Sequence, residues 1–297
     1  MQMNQEIINR AKAAYIGFAI GDALGATTEF MTSNEIKKVY GVHKNIVGGG
    51  WLHLKAGNIT DDTEMCIYMA DSIIESGYFT TENVAKYFLK WMQHKPIDIG
   101  QTVRRGLVNF KITNNCVSPY SEYSAGNGAC MRNLPIILYT LKDWQHFREL
   151  TLSQCHITHN NIHSDLITLI LGEITKHLIV YADKTMASSI AEKFIYEHPS
   201  YSFKKYNGEN SGYIVDTFKT VMYHFLKYDN FYDTLVSVVN IGGDSDTNGA
   251  LAGMLAGALY NLNGIPKRWL KKLNKKILQR ITFQAEKLLE IPSIKKL

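Results

Sequence analysis

GALAGMLAGALYNL (residues 249–262) is the stretch on which the fold turns. It is the most membrane-like run of the chain, yet it is too short to cross a bilayer, which takes about 20 apolar residues. Asp244 and Asp246 also stand just before it. Gly249, Gly253 and Gly257 recur every fourth residue, so a helix here carries a stripe of small side chains along one face. The reading is two helices packed at close range inside a water-soluble core.

Helical periodicity continues outward in both directions. Ile7, Ile8, Ala11, Ala14, Tyr15, Phe18 and Ala19 recur at i, i+3 and i+4, predicting an amphipathic helix running toward Gly21. A second helix starts after Thr60, carries Met65, Met69, Ile73 and Ile74, and stops at Gly77. Further helical patterns cover roughly 81–93, 99–112, 127–142, 162–182, 185–196, 211–228 and 245–262. The last, about 268–290, sets Leu270, Leu273, Ile277, Ile281 and Leu288 on one face. Strand signals are few: VSVVNI before Gly242 fits either a strand or a turn of buried helix. With only 6 prolines, no internal repeat and no linker, the expectation is one compact all-α domain over 1–297.

Composition narrows the function classes. A chain of 297 residues that is 45% hydrophobic and 20% charged can bury a large core, and it is neither disordered nor collagen-like. Cys66, Cys116, Cys130 and Cys155 form no CxxC pair and are too sparse to staple the chain, which suits a reducing cytosol. The N-terminus lacks the apolar run of a secretory signal, so a cytoplasmic protein without a transmembrane segment is expected, a monomer by default. The net charge of +5 does not call for nucleic acid. It is uneven: 266–297 holds 10 Lys or Arg against 2 Asp or Glu. Lys271, Lys272, Lys275 and Lys276 there read as a solvated helix face, with an acidic or membrane-associated partner the less favoured reading.

Chemistry concentrates in three loops, GGGWLHLKAGNITDD (48–62), SAGNGA (124–129) and NIGGDSDTNGA (240–250). Thr60-Asp61-Asp62 stands at a helix start, where one acid suffices as a cap. Two adjacent acids repel each other unless a cation or proton intervenes, so cap and ligand both stay open. In Asp244-Ser245-Asp246-Thr247-Asn248-Gly249, the spacing matches the beginning of a calcium-binding EF-hand loop, but the glutamate required at its twelfth position is Leu255. An Asp-x-Asp-x-Thr phosphatase signature is broken by Asn248 and by the helical pattern. Two matching clusters of hard oxygens remain, suited to Mg²⁺ or Mn²⁺ rather than zinc. Four carboxylates gathered in one cleft would need about two divalent cations.

Read with their neighbours, these clusters resemble the ADP-ribosylglycohydrolase family. The segments that carry the resemblance are GFAIGDALGATTEFM (17–31), GGGWLHLKAGNITDDTEM (48–65), KPIDIGQTVRRG (95–106), GNGACMRNLP (126–135), THNNIHSD (158–165) and NIGGDSDTNGALAG (240–253). They cover most of the chain in the family's order, and the family's fold is all-α. The resemblance implies that Thr60, Asp61, Asp62, Asp244, Asp246 and Thr247 hold a binuclear Mg²⁺ or Mn²⁺ centre, with Asp62 also taking part in catalysis. It implies hydrolysis of the N-glycosidic bond between ADP-ribose and a protein side chain, arginine first. The partner is then a mono-ADP-ribosylated protein, with a dinitrogenase reductase-type target leading. Reversal of toxin modification is the alternative, and a non-catalytic ADP-ribose-binding relative would have lost metal acids that are all present here.

Further roles follow by the same resemblance. Glu29 matches an active-site glutamate, while Asp22 reads as a cap or salt-bridge partner. Asp98 matches an aspartate near the ribose, for proton transfer or orientation of the guanidinium side, although after Pro96 it also fits an N-cap. His159 and Tyr213 match cleft positions; His159 is expected to hydrogen-bond rather than ligate, and Tyr213 fits core or cleft. Gly126, Asn127 and Gly128 suit close backbone approach to a diphosphate. Gln101 stands where some relatives carry asparagine, which lengthens the reach of an amide beside the substrate. Trp51 fits a packing anchor or a stacking surface.

Overall fold

The computed structural model describes residues 3–292. Its helices begin with α1 (Gln5–Gly25), α2 (Ser33–Tyr40), α3 (Asp61–Ser76), α4 (Thr81–Gln93) and α5 (Gln101–Thr113). The middle of the chain forms α6 (Leu134–Tyr139), α7 (Phe147–Cys155), α8 (Ile162–Tyr181) and α9 (Lys184–Glu197). Then follow α10 (Ile214–Lys227), α11 (Phe231–Val239), α12 (Ser245–Gly264), α13 (Lys267–Lys272) and α14 (Lys275–Glu290). Among the described residues extended backbone pairs only at isolated bridges, such as Thr32 with Gly242 and Gly126 with Tyr213. The fold is all-α.

The glycine stripe is met by a second one. A Cβ on Gly17 would overlap the Gly253 carbonyl, and one on Gly21 would overlap the Gly249 carbonyl. Gly257 faces Ala13 and Gly25 faces Ser245 in the same way, so α1 and α12 run antiparallel with their backbones in contact. Helix α1, expected to run toward Gly21, passes through it. The glycine admits a neighbouring carbonyl, and the helix runs on to Gly25. From Ala13 to Gly25 every residue is buried, so a helix that starts amphipathic ends enclosed on all sides.

Other departures have local causes. Expected helix over 127–142 shrinks to α6, because 128–132 winds as turns and Pro135 opens the helix instead. The 268–290 pattern breaks into α13 and α14 at Leu273. There Asn274 N donates to Gly57 O (2.9 Å) and the Asn274 side chain caps α14. That break keeps Trp269 and Leu273 buried while Lys271, Lys272, Lys275 and Lys276 stay exposed. VSVVNI is not a strand; it ends α11, capped at its start by Asn230. Helix α2 starts with a Thr32–Glu35 capping box. No helix among the described residues is long and apolar enough to cross a membrane.

Candidate active site

The antiparallel crossing brings the C-terminus of α1 to the N-terminus of α12, and the loops at that end are sewn together. Phe30 N donates to Gly243 O (2.7 Å), and Gly243 N donates to Met31 O (2.9 Å). Ser245 Oγ donates to Gly25 O (2.8 Å) and lies 3.0 Å from Thr28 Oγ1. Glu29, on the first loop, is thereby fixed beside Asp244 at the end of the second and Asp246 in the first turn of α12.

The third component is the start of α3. Its N-cap, Thr60, makes no side-chain cap, and neither Asp61 nor Asp62 supplies one. Asp22 of α1 does so from across the core. Its carboxylate accepts from Thr60 N (3.0 Å), Thr63 N (3.1 Å) and Thr63 Oγ1 (2.5 Å). Burial nonetheless pushes Asp22 up to about 6 against those hydrogen bonds. With the amides satisfied elsewhere, the acid doublet is free for another use. Asp62 Oδ2 accepts from Thr60 Oγ1 (3.3 Å) and from Thr247 Oγ1 (3.2 Å) on α12. Asp62 Oδ1 is buried with no partner.

Charge is crowded at this point. Burial raises Asp61 well above the usual carboxylate range, helped by Asp98 and Asp22; burial and Asp61 do the same to Asp62. Burial and Glu29 raise Asp246. Glu29 goes up to about 8 through burial, opposed by the Trp51 indole, whose Nε1 donates to Oε2 at 2.6 Å. Glu29, Asp244 and Asp246 each offer one oxygen, all within 4.8 Å of one another, a group that could hold a metal ion. Enclosing unpaired carboxylates costs several kcal/mol each. An orphaned Asp62 oxygen next to an all-oxygen donor set therefore fits a hard cation. Glu29, read above as catalytic, thus joins the possible ligand set.

These groups open into a cleft of about 630 Å³. The cleft is lined by Glu29, Asp61, Asp62, Asp98, Gln101, Gly126, Asn127, Gly128, His159, Asp244, Asp246 and Thr247, so most of the expected residues converge. Thr60 lies buried behind Asp62 and does not reach the wall. Tyr213 stands next to the wall rather than in it: its ring is partly exposed and edge-on to His163 at 6.2 Å, and the preceding Ser211 and Gly212 line the cleft. Asp98 does not cap α5, whose N-cap is Gly100; it is half-buried, and burial raises it, with Asp244 adding to the effect. The Asn127 side chain is already engaged, donating to Asp244 and to Thr217 Oγ1 (3.0 Å). Asp22, read from the sequence as a cap or salt-bridge partner, is a cap, though of a distant helix; sequence reasoning missed the lining residues Asn210 and Phe30. The Phe30 ring is 67% exposed and lies 5.2 Å from Trp51 at the cleft rim.

Comparison with known proteins places the whole fold in a family. The ADP-ribosylglycohydrolase family model matches residues 3–294. ADP-ribosyl-[dinitrogen reductase] glycohydrolase of Rhodospirillum rubrum is 43% identical over 96% of this chain and 97% of its own length. ADP-ribosylarginine hydrolase Tri1 of Serratia proteamaculans is 32% identical over 95% of this chain and 80% of its own. A solved structure of an ADP-ribosylglycohydrolase-related protein complex superposes with a TM-score of 0.86 at 28% identity, covering 98% of this chain and 100% of the other. The chain belongs to the ADP-ribosylglycohydrolase family and is a glycohydrolase by class.

Proposed function

We propose that this protein, acting as a single-domain cytoplasmic enzyme, removes ADP-ribose from a mono-ADP-ribosylated protein by cleaving its N-glycosidic bond to arginine. The observation that carries the reading is the buried Asp62 oxygen left without a partner beside Glu29, Asp244 and Asp246, at the floor of a cleft. Asp61, Asp62, Asp244, Asp246, Thr247 and Glu29 would hold two divalent cations, Mg²⁺ or Mn²⁺, with Thr60 buttressing Asp62. When bound, such ions neutralise the carboxylates, orient ribose hydroxyls and polarise water for attack.

The chain's own residues do the rest. Asp98, half-buried at the cleft wall, takes a proton from the attacking water as its oxygen bonds to the anomeric carbon. The carbon–nitrogen bond breaks, and Asp98 returns the proton to the departing guanidine, which leaves as guanidinium. Gly126, Asn127 and Gly128 bring backbone close to the diphosphate, His159 faces it from behind the turn, and Gln101 orients the nucleotide or the arginine. Phe30 and Trp51 form an apolar rim for the protein portion of the substrate.

The identity to the dinitrogen reductase glycohydrolase favours a dinitrogenase reductase-type target, with toxin-modified proteins second. Mass-spectrometric release of ADP-ribose from arginine-modified dinitrogenase reductase and from a toxin-modified protein, with Mn²⁺ and with chelator, tests both. Metal-dependent release is expected; its absence on every arginine-linked substrate refutes the proposal.

A further inference from the structure

Arg132 is fully buried, and among the described residues its hydrogen bonds go to no carboxylate. Its Nε donates to Gln154 Oε1 (2.9 Å), and its Nη2 donates to Gln154 O (3.0 Å) and to Thr158 Oγ1 (2.8 Å). The guanidinium lies 4.6 Å from the centre of the Phe88 ring. Thr158 Oγ1 in turn lies 2.7 Å from His159 Nδ1, and both residues are buried.

The hydrogens along this chain can be assigned. A guanidinium only donates, so the Thr158 hydroxyl oxygen accepts from it. The hydroxyl hydrogen then has one acceptor among the described residues, His159 Nδ1. Were Nδ1 protonated instead, that hydroxyl hydrogen would be buried without a partner, at a cost of about 1–3 kcal/mol. A doubly protonated ring has the same fault. Burial, then the Arg132 and Arg105 charges, also holds His159 well below the usual imidazole range. The bond at one ring nitrogen decides the proton at the other, so Nε2 carries it. A Cβ on Gly126 would stand 3.2 Å from Nε2, and one on Gly128 would stand 3.0 Å from it. The two glycines thus leave the ring room to reach the cleft wall.

We infer that Arg132 and Thr158 are positioning residues that lock His159 as a neutral Nε2–H donor facing the cleft, set to receive an anionic oxygen of the ligand. Its meeting a diphosphate oxygen of ADP-ribose rests on the function proposed above; the locked tautomer does not.

Long-range ¹H–¹⁵N correlation on the ¹⁵N-labelled chain reads the tautomer directly, with His159 signals assigned by their loss in His159→Gln. Wild type and Thr158→Ser should show a pyridine-type Nδ1 and a pyrrole-type Nε2, and Thr158→Val a mixed or inverted pattern. A pyrrole-type Nδ1 in the wild type overturns the inference, even if the valine variant fails to fold. So does a pattern untouched by Thr158→Val. Titration with free ADP-ribose should show about tenfold weaker binding for Thr158→Val and near wild-type binding for Thr158→Ser. Equal affinities in all three would separate the lock from the ligand and overturn that part. The expected tautomer in a protein that neither binds ADP-ribose nor hydrolyses its arginine linkage would sink the proposed function and leave the lock standing.

Discussion

At the scale of single residues, the carboxylates of the cleft are held against their own electrostatics rather than for stability. Asp61→Ala and Asp246→Ala should therefore cut kcat by at least about 10²-fold while leaving the helical circular dichroism intact. Melting in chelator should be unchanged or higher, and global unfolding of both variants would mean that the acids hold the fold. His224 gives a pH prediction away from the cleft. It is buried, its Nδ1 meets Ser237 Oγ (2.9 Å), its Nε2 is unpaired, and burial lowers it to about 4, with Lys227 contributing. Because its folded value lies below that of the unfolded chain, its share of stability is complete above about pH 6.5 and is lost as pH falls through about 4. Denaturant titrations from pH 7 to 4 should show His224→Gln losing less stability than wild type, by up to about 3 kcal/mol. The acid doublets and His159 were legible as chemistry from their residue types. Which of them were caps was not, because Asp22 performs the capping from 38 residues away.

At the scale of elements, the site depends on how closely α1 and α12 approach. Gly253→Ala would drive a methyl into the Gly17 carbonyl, and overpacking of this kind costs typically about 1–3 kcal/mol. A lowered melting temperature with weakened catalysis is expected, since the loops carrying Glu29 and Asp244 leave these same helix ends. An unchanged melting point would refute the close packing. Helix spans such as 81–93 were legible because apolar spacing is local. The partner of the glycine stripe was not, because Gly17, Gly21 and Gly25 occur among apolar neighbours that already explain a helix. The break between α13 and α14 was equally hidden: it depends on Gly57, which contacts Asn274 only after folding.

At the scale of the whole molecule, the enclosed acids tie stability to pH and to cations. Asp22 rises to about 6 and Glu29 to about 8, each above its value in an unfolded chain. In chelator the stability they contribute is thus full at low pH and declines as pH climbs from the ordinary carboxylate range through about 8. Divalent cation should raise the melting temperature more at pH 8 than at pH 5; an equal or reversed effect would argue against cation binding by this set. The sequence by itself determined the helical class, the hard-oxygen character of the two acid clusters and the family to which they point, because periodicity and ligand chemistry are properties of neighbouring residues. Tertiary structure alone decided that Asp62 meets Thr247 across 185 positions, that Glu29 joins the acids, and that the Tyr213 ring meets His163 edge-on. Those outcomes depend on backbone contact between two glycine-faced helices, and no local pattern encodes which distant groups that contact brings together.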